Sequence, residues 1–255
     1  MIVGDLFSGI GGFSLAAHWM GWRTAWFSEV DPYACRVLAH HWPDVTNLGD
    51  IRAVDWATMP AVDIVTGGFP CQPHSLAGKR HGSNDERDLF DEIIRCARVV
   101  RPRFLVLENV PGLFTSDAGR FFGRVLGALA ACGYDAEWRV VSAADVGAPH
   151  LRERVWIIAY AISARGARLE PAGSVGSARP WGVRGSKDLR RIAGNPFVAG
   201  SGWPQPLIRR VDDGLSHRMD RLRALGNSIV PQVALEIFRR VEALTASSPA
   251  VQAAA

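Results

Sequence analysis

No stretch of this 255-residue chain approaches the roughly 18 consecutive apolar residues that a membrane-spanning helix needs. The opening Met1-Ile2-Val3-Gly4-Asp5 has neither the basic start nor the cleavage site of a secretory signal, so a cytosolic protein is expected. Cysteine is scarce: Cys35, Cys71, Cys96 and Cys132 are widely scattered and form no Cys-x-x-Cys pair. That argues against a disulfide framework and a zinc site, and predicts four reduced thiols and no metal. Lysine is scarcer still, with only Lys79 and Lys187 among 29 basic residues, a bias that points to no function by itself. With 48% hydrophobic and 21% charged residues, the composition is that of a globular protein long enough for one large domain, or one domain and a small appendage.

The net charge of +4 conceals a local excess. Residues 161–226 carry 12 Lys and Arg against 5 Asp and Glu, which leaves the remainder of the chain net negative. The same segment is rich in Gly, Pro and Trp, as in Pro180-Trp181-Gly182 and Gly202-Trp203-Pro204, and has no sustained hydrophobic period. It reads as loops and short strands. Either it is a solvated arginine-rich surface, or it neutralises phosphates and offers guanidinium forks to base edges.

Before position 161 strand and helix patterns alternate. Met1 to Phe7, Thr24 to Ser28, Val62 to Thr66, Phe104 to Glu108 and Val155 to Tyr160 read as strands. Phe13 to Met20, a helix opening at Asp31-Pro32, Asp88 to Val100 and Arg120 to Cys132 read as helices, with Leu89, Ile93, Ala97 and Val100 on one face. Such alternation predicts an α/β fold with a doubly wound, mostly parallel sheet. Ligands on such sheets bind beyond the carboxyl ends of the strands, where several polar motifs fall.

One of those motifs holds a cysteine stiffly. In Gly67-Gly68-Phe69-Pro70-Cys71-Gln72-Pro73-His74-Ser75 two prolines flank Cys71 just after an apolar run. Proline fixes its own φ and pushes the preceding residue towards extended geometry, so Phe69 and Gln72 have little freedom. A thiol placed in this way reads as a nucleophile, or else as a small buried apolar side chain. Another motif, Asp5-Leu6-Phe7-Ser8-Gly9-Ile10-Gly11-Gly12, puts a glycine turn between the first strand and the first helix. It is not Gly-x-Gly-x-x-Gly, and no lysine follows as in a phosphate loop. Glu29 ends the second strand, and Asp50 is expected just after a further one. Each acid either caps a helix or accepts hydrogen bonds from a ligand, and together they favour an adenosine-containing ligand without a phosphate chain.

The glycine turn, Gly68-Phe69-Pro70-Cys71-Gln72-Pro73, Glu108-Asn109-Val110, Arg152-Glu153-Arg154 and Leu225-Gly226-Asn227-Ser228-Ile229-Val230-Pro231 resemble, in order, the motifs of the DNA (cytosine-5)-methyltransferases. The resemblance covers about 1–160 and 218–240 and does not extend through 161–217. It implies a Rossmann-like, S-adenosylmethionine-dependent methyltransferase fold with a small, irregular target-recognition region. It also implies that Phe7, Ser8, Gly9, Gly11, Gly12, Glu29, Val30, Asp50, Ile51, Phe69, Pro70, Asn227 and Ile229 surround the cofactor S-adenosylmethionine, with Phe7 beside the adenine and Asp50 on its amino group.

The residue types suit the implied chemistry. Carbon 5 of cytosine is a poor nucleophile until a thiolate adds to carbon 6, and Cys71 matches that thiolate. Glu108 matches the acid that serves ring nitrogen 3, which requires a pKa raised by burial. Arg152 and Arg154 alternate at the start of a strand and so are expected on one face, Arg154 matching the residue that contacts the base oxygen and places the acid. A base stacked in a duplex cannot reach Cys71, so flipping is implied. The polar, glycine-rich segment Ser75 to Arg87 resembles the loop that closes over the flipped base. DNA contacts are expected from Gln72, Ser75, Lys79, Arg80 and Arg87, and from Arg209, Arg210 and Arg221.

The expected organisation is a catalytic and cofactor-binding domain over 1–160, a target-recognition region over 161–220, a segment over 221–245 that returns to the first domain, and a tail over 246–255. Pro231 suits the first turn of a helix from Gln232 to Ala243 that packs near the first strand and closes the cofactor pocket. The chain departs from the family pattern in the brevity of its middle segment and in Pro149-His150, where glutamine is common. The expectation is a monomeric, cytoplasmic enzyme of a bacterial or phage-infected cell that methylates carbon 5 of cytosine in double-stranded DNA, with a cognate restriction endonuclease as an optional companion. The alternatives are an RNA (tRNA) cytosine-5 methyltransferase, a catalytically silent DNA-binding module and, for the glycine turn alone, a dinucleotide oxidoreductase.

Overall fold

The computed structural model describes residues 1–70, 88–162 and 224–246. Cys71, Gln72, Ser75, Lys79, Arg80 and Arg87, together with Arg209, Arg210 and Arg221 and nearly all of the expected target-recognition region, lie outside the described residues.

In chain order the elements are β1 (Ile2–Leu6), α1 (Gly12–Trp19), β2 (Arg23–Ser28), α2 (Pro32–His41), β3 (Thr46–Asn47), β4 (Ile64–Gly68), α3 (Asp88–Val100), β5 (Phe104–Asn109), α4 (Arg120–Ala131), β6 (Tyr134–Val141), β7 (Arg154–Ala161) and α5 (Pro231–Ala246). They form one seven-stranded sheet in the order β3-β2-β1-β4-β5-β7-β6. The β2–β3, β1–β2, β1–β4 and β4–β5 pairs are parallel, whereas β7 runs antiparallel to both β5 and β6. The chain crosses over between β3 and β4 to the far side of β1, and that reversal opens a crevice at the carboxyl ends of β1 and β4.

Successive strand residues face opposite sides, and both sides are covered. On β5, Leu105 and Leu107 join a cluster with Ile93, Ala97, Val125 and Leu129 of α3 and α4. Phe104 and Val106 face a second cluster that holds Phe13 and Ala17 of α1 and Val233, Ile237 and Phe238 of α5. Each large side chain fully buried in this way contributes about 1.5–3 kcal/mol. Aromatic edges key α5 into place: the Phe238 ring lies 4.9 Å from Trp22 and 6.1 Å from Phe13. Arg240 of α5 reaches Glu137 of β6 through hydrogen bonds of 2.9 and 3.0 Å.

Local chemistry sets the helix starts. The Asp31 carboxylate accepts from the amides of Tyr33 and Ala34, with Pro32 in the first turn of α2. Pro231 likewise begins α5, which runs three residues past the expected end. β6, which no apolar run announces in the sequence, forms the edge of the sheet opposite β3, with Trp138 and Val140 exposed. Cys35, Cys96 and Cys132 are free thiols. Among the described residues, no helix is long and apolar enough to cross a membrane and no cluster of His, Cys, Asp or Glu is arranged to hold a metal.

Candidate active site

The carboxyl ends of β1, β2, β4 and β5 and the segment before α5 enclose a cavity of about 530 Å³. That volume lies within the roughly 300–1,000 Å³ typical of small-molecule sites. Phe7, Gly9 and Ile10 of the glycine turn form one wall, Glu29, Val30 and Asp31 the next, and Phe69, Pro70, Glu108 and Arg154 the far end. Ala224, Gly226 and Asn227 complete it from the C-terminal segment.

The turn is built on a buried acid. Asp5 is fully buried at the end of β1, where its carboxylate accepts from Ser14 Oγ at 2.9 Å and Thr66 Oγ1 at 2.7 Å. Burial pushes the Asp5 carboxyl up to about 7 against the effect of those two hydroxyls, with the Glu29 charge adding to the rise. Its own carbonyl accepts from Ser8 Oγ, which holds the turn closed. Phe7 adopts a left-handed conformation with φ of 50°, strain of the kind that collects at functional sites, and thereby joins the cavity wall. Gly9 and Gly11, also left-handed, carry the chain round to α1.

Glu29 ties the two walls together. One oxygen accepts from the Gly9 amide at 2.7 Å, and the other from the amides of Val30 and Asp31 at 2.8 and 2.7 Å. The Gly11 amide is also used, donating to the Ser8 carbonyl. Amides that would cradle a phosphate are therefore engaged, and a carboxylate stands where an anion would approach. This disfavours a dinucleotide and suits an adenosine ligand that carries positive charge and no phosphates. The residues present fit S-adenosylmethionine on those grounds. Val30, 65% exposed on the cavity wall, offers an apolar surface to a flat ring.

At the far end Glu108 and Arg154 form an ion pair, Nε to Oε1 at 2.8 Å. Burial pushes the Glu108 carboxyl up to about 7 even though Arg154 and Arg152 pull it down. The acid is thus poised to hold or release a proton near neutrality. Gly68 pairs with Glu108 across the sheet, and a Cβ there would lie 3.1 Å from Glu108 Oε2. Asn109, 2% exposed, donates from Nδ2 to the Phe69 carbonyl at 3.0 Å and accepts from the Val110 amide. It fixes the backbone just before Pro70 and Cys71. No role for Asn109 follows from the motif alone, although a polar residue at the end of an apolar strand is a usable signal.

Other expected site residues stand apart from the cavity wall. Ser8, Gly11 and Gly12 shape the turn behind it. Asp50 caps a 3-10 turn by accepting from the Arg52 amide, and its carboxylate engages the Arg52 guanidinium at 2.6 Å. Ile51 is buried in the core beside α3. Arg152 lies before β7 with a left-handed φ of 38°, and its charge, like that of Arg154, acts on Glu108. Its guanidinium donates to two carbonyls of the C-terminal segment.

The family model for C-5 cytosine-specific DNA methylases matches residues 1–172. The chain belongs to this family. Among the relatives, the type II methyltransferase M.NgoBI of Neisseria gonorrhoeae is 40% identical over 157 residues, 61% of this chain and 49% of that one. M1.ScrFI of Lactococcus lactis subsp. cremoris is 39% identical over 158 residues, 61% of this chain and 40% of that one. A prophage-encoded E. coli protein described as a DNA modification methyltransferase is similar in structure, with TM-score 0.55 and 26% identity over 65% of this chain and 48% of that one. Spodoptera frugiperda DNMT2, with TM-score 0.51 and 22% identity over 64% of this chain and 50% of that one, shares the fold. The chain spans about half the length of these relatives.

Proposed function

We propose that the protein transfers a methyl group from S-adenosylmethionine to carbon 5 of cytosine in double-stranded DNA. One observation carries this reading: the half-buried Glu108–Arg154 pair, Pro70 next to Cys71, and the Phe7 and Glu29 walls all border a single cavity. Cofactor groups and base-side groups therefore share one space, as direct transfer between two substrates requires.

Phe7, Val30 and the backbone around Gly9 hold the cofactor, with Glu29 fixing the geometry of the two strand ends. When bound, S-adenosylmethionine supplies an electrophilic methyl group on a sulfonium centre. Cys71 adds as a thiolate to carbon 6 of a flipped cytosine, forming a carbon–sulfur bond and placing electron density on carbon 5. Glu108 donates its proton to ring nitrogen 3 as that density develops, and Arg154 orients the acid and meets the base oxygen. Once carbon 5 carries the methyl group, its proton passes to a general base, nitrogen 3 returns its proton to Glu108, and elimination of Cys71 restores the ring and the free thiolate. Gln72, Ser75, Lys79, Arg80, Arg87, Arg209, Arg210 and Arg221 supply the DNA contacts. The type II names of the relatives support a place in restriction–modification, with an endonuclease partner that the methyl transfer itself does not need.

Bisulfite sequencing of DNA from cells that express the chain tests this reading. Protected cytosines in a short recurrent site are expected, and none in cells expressing Cys71→Ser. Uniform conversion of DNA cytosines, with methylation of transfer RNA instead, would replace the DNA substrate by RNA.

A further inference from the structure

The C-terminal segment before α5 meets the rest of the molecule at two points. At the first, Arg152 Nη2 donates to the carbonyls of Gly226 and Ser228, both at 2.7 Å. At the second, Ile229 is wedged between two glycines that belong to different parts of the site. A Cβ on Gly12, the first residue of α1, would lie 2.8 Å from both Cβ and the carbonyl oxygen of Ile229. A Cβ on Gly68, at the end of β4, would lie 3.4 Å from Ile229 Cδ1 and 3.1 Å from Glu108 Oε2. The same few residues also supply cavity wall through Gly226 and Asn227.

Arg152 stands two residues from Arg154, which holds Glu108. With a left-handed φ of 38°, its guanidinium reaches the distant segment, and Arg152 is not part of the cavity wall, although its charge still acts on Glu108 and Arg154. A non-glycine residue keeps such a conformation only where its surroundings over-determine it, and here both N–H bonds of one nitrogen are committed to carbonyls of the distant segment.

We infer that Arg152 is a positioning residue for the cofactor wall: by gripping the Gly226 and Ser228 carbonyls it seats Ile229 as a wedge that joins the start of α1 to the strand end carrying Gly68 and its neighbour Glu108. The inference rests on the functional reading above only for the identity of the ligand. Two consequences distinguish it from a role on the base. Loss of the grip frees the segment whether or not any ligand is bound. It also weakens cofactor binding through the same contacts that Ile229 makes, so removing both side chains costs little more than removing one.

Hydrogen–deuterium exchange of the full chain over residues 226–233 is the first test, on wild type, Arg152→Gln, Arg152→Lys and Arg154→Gln. Exchange about ten-fold faster in Arg152→Gln, partly restored in Arg152→Lys and unchanged in Arg154→Gln, is expected. Unchanged exchange in Arg152→Gln overturns the inference. Calorimetry with S-adenosylhomocysteine is the second test. A dissociation constant raised about ten-fold is expected in Arg152→Gln, in Ile229→Ala and in the double variant alike, a non-additive pattern. Normal affinity in Arg152→Gln, with covalent trapping on 5-fluorocytosine DNA lost as in Arg154→Gln, would make Arg152 a base-side residue and overturn the inference. A wild-type chain that binds no S-adenosylhomocysteine counts against the functional reading, while the exchange comparison still decides whether Arg152 holds the segment.

Discussion

The Asn109 side-chain amide donates to the Phe69 carbonyl at 3.0 Å, so the end of β5 clamps the exit of β4 two residues before Cys71. Both partners are buried, at 2% and 3% exposure, and no water can replace the bond. Asn109→Ala leaves the carbonyl unsatisfied and is expected to cost about 1–3 kcal/mol of stability. Urea denaturation measures that cost. The variant is also expected to lose turnover at saturating cofactor while keeping cofactor affinity, because the Phe7 and Glu29 walls are untouched.

Glu108 offers a pH prediction with a definite sign. Its carboxyl, up at about 7, must be protonated to donate, so kcat/KM is expected to fall as pH rises through that value. Arg154 holds the pKa down, so Arg154→Gln should move this alkaline limb to higher pH while lowering the plateau. Glu108→Gln should abolish the limb and reduce turnover by about 10²- to 10⁴-fold. Initial rates across pH, with duplex DNA as substrate, check all three outcomes.

Gly68 is a matter of space. An added Cβ would press on Glu108 Oε2 at 3.1 Å and on Ile229 Cδ1 at 3.4 Å. The carboxylate must then give way by a few tenths of an ångström from its setting against Arg154. Gly68→Ala is expected to fold, to unfold at nearly the wild-type denaturant concentration, and to lose up to about 100-fold in turnover through misplacement of the acid. A variant with full turnover would show that the acid tolerates displacement.

Asp5 governs stability instead. Its folded-state pKa of about 7 stands above the ordinary 3.8, so the folded chain holds this proton more tightly than the unfolded chain. The resulting stabilisation is complete below the unfolded value and is lost as pH rises through the folded one. Asp5→Asn keeps the shape without the charge, and is expected to flatten the decline in unfolding free energy between about pH 4 and about pH 7. Denaturant titrations at those two pH values are the check.

Much of this architecture was legible in the sequence because it rests on local patterns. Apolar runs bounded by glycine and proline marked β1, β2, β4, β5 and β7, and Asp31-Pro32 and Pro231 announced two helix starts. What escaped was long-range or conformational. The half-polar β6, with its outward Trp138 and Val140, lacks the apolar run of a central strand, and the insertion of β7 between β5 and β6 is a pairing that no local period encodes. Strand alternation places Arg152 beside Arg154, but its left-handed backbone and its two bonds to the Gly226 and Ser228 carbonyls are encoded in no local period. For Asp50 the sequence leaves a cap and a ligand contact both open, and its oxygens accept from the amide and guanidinium of Arg52. The meeting of Ile229 with Gly12 and Gly68 needs the whole fold before it can be seen.

The most direct measurement is covalent trapping on a DNA duplex that carries 5-fluorocytosine in the methylated site, with S-adenosylmethionine present, followed by peptide mass spectrometry. Fluorine on carbon 5 cannot leave as a proton does, so the carbon–sulfur bond formed at carbon 6 persists. The account predicts a stable adduct on Cys71 that disappears in Cys71→Ser. A wild-type chain that methylates cytosine but forms no adduct, or forms one on Cys35, Cys96 or Cys132, would contradict it.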